Sequence, residues 1–315
     1  MDLYEPIKYT IKLGGKKTRS LLIKYAQSLL NNNNNPITKF IIDDINKIHN
    51  ASLVIDDIQD ESEKRRGELC AYKIFGTAHT INSGYLQVFT TLNEVKNKYP
   101  KEISNDILNN YISTLKYLHY GQGCDIYWSK NHIIPSMDDF LIMIDKKTGS
   151  FFKLIANLCL LSDKKYNDKN YKISILSLFQ LMGRFFQIRD DYINLTDPNY
   201  WRSRKFCEDF DEKKVSYMFV KLTETTKNTD IYRELINKDK LTNSDKLYFY
   251  KKMLDNNILY NVYLELESYK NKIIQLEKQI TNNESVSEFL KMYFKKLNYN
   301  PPCPYDKVKL FINVL

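Results

Sequence analysis

The sequence predicts an all-α protein, a large antiparallel helical bundle, and three observations carry that prediction. Only 9 Gly and 8 Pro punctuate 315 residues, fewer than a fold of short strands and tight turns needs. Apolar residues recur at spacings of three and four through one long segment after another, and nowhere alternate between turn signals as half-buried strands do. Hydrophobic residues make up 43% of the chain, enough to fill a sizeable core.

The run LLNNNNNPITKF (29–40) separates two helices. Asparagine disfavours helix continuation, and Pro36 suits a helix start. From Ile37 to Asp60, the residues Ile41, Ile45, Ile48, Ser52 and Ile55 mark one helical stripe. Similar periodicity runs through 103–127, 138–161 and 171–195, and resumes in 241–253, 257–281 and 285–297. Short polar connectors such as LSDKKYNDKNY divide these segments, and no repeat of fixed period is present. Helices of this number and length predict one domain over 1–297. NYNPPCPYD (298–306) breaks the last helix and leaves 298–315 as a C-terminal extension.

A net charge of +9 suits an anionic partner. No dense basic run with interleaved aromatics is present, so nucleic acid is not expected. The five cysteines, Cys70, Cys124, Cys159, Cys207 and Cys303, form no CxxC pair and read as reduced thiols of a cytoplasmic protein. The start MDLYEPIKYT has no apolar signal core, no run is long enough to span a bilayer, and FINVL offers no cysteine for prenylation.

The chemistry begins at ASLVIDDIQDESEKRRG (51–67). Asp56, Asp57 and Asp60 stand at i, i+1 and i+4, within about 100° of one helix side. His49 and Ser52 lie on nearly the same stripe. Like charges this close destabilise a helix unless a cation sits among them. Hard oxygen ligands suit Mg²⁺, which takes one or two carboxylates and completes its shell with water and phosphate oxygens. FFQIRDDYINL (185–195) repeats the spacing with Asp190, Asp191 and Asn194 on a second apolar helix. A solvated acidic helix end explains either motif alone; chance explains two of them poorly. Metal ions between two such motifs would hold a diphosphate and stabilise it as a leaving group, the carboxylates acting as ligands and not as acid and base.

Cations accompany the acids. LGGKKTRS (13–20) carries Lys16 and Arg19 beside a glycine pair, without the spacing of a Walker loop. Arg65 and Arg66 follow the first acidic motif, and each has a planar fork for phosphate oxygens. KKTGS (146–150) supplies Lys147 and Thr148, while Lys205 and Lys214 follow the second motif. Taken singly, each lysine reads as surface solubility. The carboxylates and arginines of the first motif are expected to hold opposite parts of a metal diphosphate and not to pair with each other.

In this order GGKKTR, HNASLVIDDIQDESEKRRG, HYGQGCDIYW, KKTGSFF and FFQIRDDYINL resemble the motifs of trans-isoprenyl diphosphate synthases, most closely geranylgeranyl diphosphate synthases of the animal and fungal type. The resemblance covers residues 13 to 218 clearly and the later helices more loosely. It implies an all-α bundle around a deep central cavity, Mg²⁺ as the cofactor, and isopentenyl diphosphate and an allylic diphosphate as substrates. It also implies a homodimer or higher oligomer. By motif matching, Lys16, Arg19, His49 and Arg66 fall at the isopentenyl subsite, and Arg65, Lys147, Lys205 and Lys214 on the allylic side. Thr148 and Gln187 fall where the family steadies the allylic cation; with Asp56, Asp57 and Lys147 they form the expected catalytic set. Asp56, Asp57, Asp60, Asp190, Asp191 and Asn194 form the expected metal set.

Product length is read from Ala51 and Ser52, roughly 6–7.5 Å before Asp56 along the helix at ~1.5 Å per residue. Small side chains there favour a C20 product, geranylgeranyl diphosphate, over C15. The departures are Lys213 and Met218 where the family has Gly and Pro, Leu69 and Tyr72 where it has Pro and His, and Ser150 for a Gly. Alternatives are a farnesyl diphosphate synthase, a terpene synthase of the same fold, and a non-catalytic regulatory subunit.

Overall fold

A computed structural model describes residues 2–14, 18–32, 35–163, 168–203, 205–281 and 283–312. Among these residues the chain is almost wholly helical. The helices are α1 (Glu5–Lys12), α2 (Thr18–Leu29), α3 (Ile37–Gln59), α4 (Ala71–Phe75), α5 (Thr77–Lys98), α6 (Lys101–Asn131), α7 (Met137–Ile144), α8 (Ser150–Leu161), α9 (Lys169–Thr196), α10 (Pro198–Ser203), α11 (Glu208–Asp211), α12 (Tyr217–Thr226), α13 (Asp230–Ile236), α14 (Asn243–Asp255), α15 (Ile258–Ile280), α16 (Glu284–Lys296) and α17 (Tyr305–Ile312). The six later periodic segments appear as helices, with 138–161 divided into α7 and α8 by a π turn at Asp145–Gly149. One hairpin, β1 (Lys64–Arg65) with β2 (Glu68–Leu69), pairs Arg65 with Glu68. Arg66 (φ 58°) and Gly67 (φ 90°) form its two-residue turn. Both central residues are left-handed, which matches the twist of the flanking strands. Arg-Gly is a weaker hairpin signal than Asn-Gly or Asp-Gly, so this turn has little local signature in the sequence.

The chain packs as two compact units. One comprises Met1–Lys116, Phe151–Gln180 and Ile274–Lys296; the other comprises Tyr117–Ser150, Leu181–Ile273 and Leu297–Leu315.

In the first unit α3 is the central element, with α1, α2, α4 and α5 packed against it. Ile41, Ile45 and Ile48 are fully buried as their spacing predicts. The stripe then turns to Ala51 and Val54, which join Ile7 and Ala71 in one cluster, while Ser52 is exposed and Ile55 half-buried. Gly84 of α5 faces α3 so closely that a Cβ there would lie 2.9 Å from Ile55 Cδ1 and 3.4 Å from the Ala51 carbonyl. The bare glycine lets the two helices touch backbone to side chain.

In the second unit, Phe210, Phe219, Phe249 and Tyr232 form a connected set of rings 5.2–5.9 Å apart. Residues 298–312 belong to this unit. Arg189 donates to the Asn298 carbonyl at 2.7 Å, Tyr192 to that of Asn300 at 2.8 Å and Tyr250 to that of Cys303 at 2.7 Å. α17 packs on α14.

Candidate functional site

The first acidic motif ends α3. Asp60 is its C-cap, Glu61 takes the left-handed conformation (φ 52°), and the Ser62 N–H donates back to the Asp57 carbonyl at 3.0 Å. That helix stop is usually built on glycine. It reverses the chain into the hairpin and returns Arg65 to the acids. Arg65 Nε lies 2.8 Å from both oxygens of Asp57, and Nη2 lies 2.5 Å from Oδ1. Asp57 is 2% exposed and Arg65 12%. Asp56 keeps 34% exposure, with Arg65 Nη2 at 4.0 Å. The expectation that acids and arginines stay apart is therefore corrected for this pair. A carboxylate as deeply buried as Asp57 needs a counter-charge, and the hairpin supplies one.

Beside this pair stands a cationic cluster. His49 is held well below its ordinary pKa, first by burial and then by the charges of Arg19, Arg65 and Arg66. Arg19 is pulled down to about 10 by burial and by Arg66; its Nε donates to Asn46 Oδ1 at 3.4 Å. Burial comes first at both side chains and the neighbouring cations add to it, a setting that suits an anion. The structure brings together Arg19, His49, Arg65 and Arg66. Lys16 lies outside the described residues. Of the two residues expected to set product length, Ala51 is buried in the α1/α4 cluster, and Ser52 is exposed with its hydroxyl donating to the His49 carbonyl at 2.8 Å.

The second unit carries the other constellation. Thr148 Oγ1 donates to Gln187 Oε1 at 2.7 Å, and Gln187 Nε2 donates to Asp191 Oδ1 at 3.0 Å. The Tyr217 N–H reaches Asp191 Oδ2 at 2.9 Å. Lys214 stands 3.5 Å from Asp191 and 3.9 Å from Asp209. Asn194 exchanges hydrogen bonds with Asp209, donating at 2.9 Å and accepting from its N–H at 3.3 Å. Lys147 donates to Asp125 at 2.5 Å. Asp190 is half-buried and Lys205 exposed.

Two members of this group, Asp125 and Asp209, carry no role in the sequence reading. Asp125 lies within the quoted HYGQGCDIYW run. Asp209 has no periodic or motif signal; only folding carries it to Asn194.

Among the departures, Lys213 sits at φ 51°, the conformation for which glycine is the natural residue. Its carbonyl accepts from Tyr232 at 2.9 Å and its ammonium donates to the Ile236 carbonyl at 3.0 Å. These bonds hold the turn, and Lys214 keeps its place.

Electrostatics sort the buried acids. Burial would raise Asp125, but Lys147 and Lys214 outweigh it and hold the carboxyl low. Burial wins at Asp191, which is raised, and pushes Asp209 up to about 7. Burial alone would lower Lys214, yet Asp209, Asp191 and Asp125 hold it well above its ordinary value.

A carboxyl whose folded pKa exceeds its unfolded value contributes stability that is present below the unfolded pKa, about 3.9, and lost as pH rises through about 7. Asp209→Asn keeps the bond from Asn194 and fixes the neutral form. In chelator, urea unfolding is expected to show a flatter stability profile between about pH 4 and pH 7 and a more stable variant at pH 8.

The donor set fits Mg²⁺. Among the described residues no three His, Cys, Asp or Glu side chains gather into an ion cage. Mg²⁺ does not need one, since it binds through one or two carboxylates plus water and phosphate. Asp209 Oδ2 and Asp125 Oδ1 are buried without a hydrogen-bond partner, as oxygens awaiting a water or an ion would be.

Comparison with known proteins gives the same direction. The polyprenyl synthetase family model matches residues 1–253. Talaropentaene synthase of Talaromyces verruculosus is 40% identical over 193 residues, which are 61% of this chain and 27% of that protein. Geranylgeranyl pyrophosphate synthase 2 of Gibberella fujikuroi is 32% identical over 226 residues, 70% of this chain and 56% of that protein. The chain thus spans from about a quarter to little more than half of the length of these relatives. A crystal structure of geranylgeranyl pyrophosphate synthase superposes with a TM-score of 0.83 at 19% identity, covering 94% of this chain and 91% of that one. The enzyme of that name from Pyrococcus horikoshii Ot3 gives 0.82 at 20% identity, covering 95% and 90%. These two establish the fold.

Proposed function

The chain belongs to the polyprenyl synthetase family, and from that membership we propose that it condenses isopentenyl diphosphate with an allylic diphosphate (dimethylallyl, geranyl or farnesyl), giving geranylgeranyl diphosphate. The single observation that carries the proposal is the cationic cluster of Arg19, His49 and Arg66. A diphosphate-ionising enzyme without a second substrate has no need of it.

In this reading Arg19, His49 and Arg66, with Lys16, grip isopentenyl diphosphate. Neutral His49 donates a hydrogen bond without adding to the crowded charge. Lys147, Lys205, Lys214 and Arg65 grip the allylic diphosphate. Asp56, Asp57 and Asp60, and Asp190, Asp191 and Asn194, are the residues that would hold Mg²⁺ and its waters, Asp57 while bridged to Arg65 and Asn194 while bound to Asp209. Bound Mg²⁺ would neutralise charge on the departing pyrophosphate. The allylic C1–O bond breaks with its electron pair leaving on pyrophosphate. Thr148, oriented by Gln187 and Asp191, turns its oxygen towards the cation that forms. The isopentenyl double bond attacks C1, and the new cation loses a proton to pyrophosphate, which leaves the elongated allylic diphosphate.

The proposal includes a cytoplasmic homodimer. Free cysteines suit a reducing compartment, and no helix among the described residues is long and apolar enough to cross a membrane. Ile81, Tyr85 and Phe89 repeat every four residues along α5 and are exposed, as an apolar face awaiting a second copy would be.

The test is product analysis with Mg²⁺, isopentenyl diphosphate and each primer in turn. A C20 diphosphate is expected. Released hydrocarbon without an elongated diphosphate would instead favour terpene cyclisation, the second reading, which the 40% identity to talaropentaene synthase keeps in view. Within the same assay Ser52→Phe is expected to shift the main product from C20 to C15, because Ser52 is the exposed member of its pair. Ala51→Phe is expected to destabilise by about 1–3 kcal/mol, the range for overpacking. An unchanged C20 product from Ser52→Phe removes this helix as the ruler.

A further inference from the structure

Gly121 and Asp125 stand one turn apart on α6, both facing the π turn. A Cβ on Gly121 would lie 2.7 Å from Lys147 Cα and 2.8 Å from Lys147 Cβ, and it would also collide with the Lys147 backbone nitrogen. No real side chain tolerates that approach to backbone. Four residues on, Asp125 is 6% exposed and accepts from the Lys147 ammonium at 2.5 Å. Gly121 therefore admits the backbone of Lys147, and Asp125 anchors the tip of the same residue. The turn they hold is a π turn, a geometry that adds a residue to the helical circuit and is frequent at functional sites. Thr148, inside the same turn, starts the hydrogen-bond chain through Gln187 to Asp191. Gly123, two residues away on the same helix, is exposed and has nothing within 4 Å of an added Cβ.

We propose that Gly121 and Asp125 form a two-point clamp on the π turn, and that they are positioning residues for Lys147 and Thr148. This rests on the roles given to those two residues above. The glycine works by absence: only a hydrogen lets the turn sit deep enough for Thr148 to meet Gln187. Asp125 works by charge, holding the Lys147 ammonium at one point.

The experiment has a structural arm and a kinetic arm, with Gly123→Ala as the paired control. In hydrogen exchange resolved by peptide, Gly121→Ala is expected to raise exchange across 145–149 at least tenfold, and Gly123→Ala to leave it unchanged. This arm needs no activity, so it decides the clamp even if the wild type proves not to be a prenyltransferase. In the kinetic arm Gly121→Ala is expected to lower kcat on the order of 10²-fold, the loss known for a small misplacement of a reacting group. Adding Gly121→Ala to Lys147→Ala/Thr148→Ala is expected to be no worse than that double variant alone, since residues acting through one another are not additive. Asp125→Asn keeps the side-chain volume and decides the matter if Gly121→Ala does not fold: it too is expected to loosen 145–149 and to add nothing to Lys147→Ala. Exchange at 145–149 that matches the wild type in both folded variants, a Gly121→Ala loss that multiplies with that of Lys147→Ala/Thr148→Ala, or an Asp125→Asn loss that multiplies with that of Lys147→Ala, would overturn the clamp. A clamp seen by exchange in an inactive wild type would overturn the proposed function and not the clamp.

Discussion

Asp56→Ala is expected to abolish most turnover, on the order of 10²–10³-fold, while leaving the fold as stable as the wild type. The loss is that of removing one preorganised charge-stabilising group. Stability is spared because Asp56 is 34% exposed and its nearest cation is only at 4.0 Å; removing one of several like charges even relieves repulsion at the helix end. Asp57→Ala, one residue on, is expected to behave differently. It leaves Arg65, 12% exposed, without the carboxylate its fork engages. Breaking a buried pair on one side costs about 3–5 kcal/mol, so this variant is expected to lose both activity and stability. Steady-state kinetics beside urea unfolding separates the two. Full turnover in Asp56→Ala would remove the metal-ligand reading of the first motif.

The second large effect is expected from Lys214→Met. The ammonium is the cation that Asp191 and Asp209 share, at 3.5 and 3.9 Å, and both acids are almost fully buried. Without it two carboxylates face each other in a low dielectric, at a cost of about 3–5 kcal/mol near neutral pH. The dependence on pH distinguishes this from lost packing. Burial already raises both acids, and losing the cation raises them further, so the penalty shrinks as pH falls and they take up protons. Lys214 itself has a raised pKa; the stability it contributes is complete below about 10.4 and is lost only above that, so its own titration does not enter between pH 5 and 8. In chelator, the gap between wild type and Lys214→Met is expected to be clearly smaller at pH 5 than at pH 8, and Lys214→Arg to restore most of it. Equal gaps at both pH values would show that the stem, not the charge, matters.

The elements that local chemistry controls were readable in the chain. Three- and four-residue spacing places an apolar face wherever a helix forms, and Pro36 and the asparagine run mark a boundary by their backbone preferences alone. Two acidic triads at i, i+1 and i+4 are visible for the same reason: a helix holds such residues on one side whatever surrounds it. What escaped reading depends on partners distant in sequence. The hairpin at 64–69 rests on two left-handed residues, one of them an arginine, and it makes Arg65 a partner of Asp57. Asp209 joins the second motif from fifteen residues beyond Asn194, just after Cys207, which takes the left-handed conformation.

The stripe along α3 shows where the division falls. By itself the sequence determined the helix, its register from Ile41 to Ile48, and the acids at its end, since those follow from backbone geometry and spacing. It left Ala51 and Ser52 equivalent, two small residues a quarter-turn apart. Only the tertiary structure decided between them. α1 and α4 close over Ala51 through Ile7 and Ala71, and Ser52 is left open on the other flank. Burial depends on what packs against a face, and that is written in other helices.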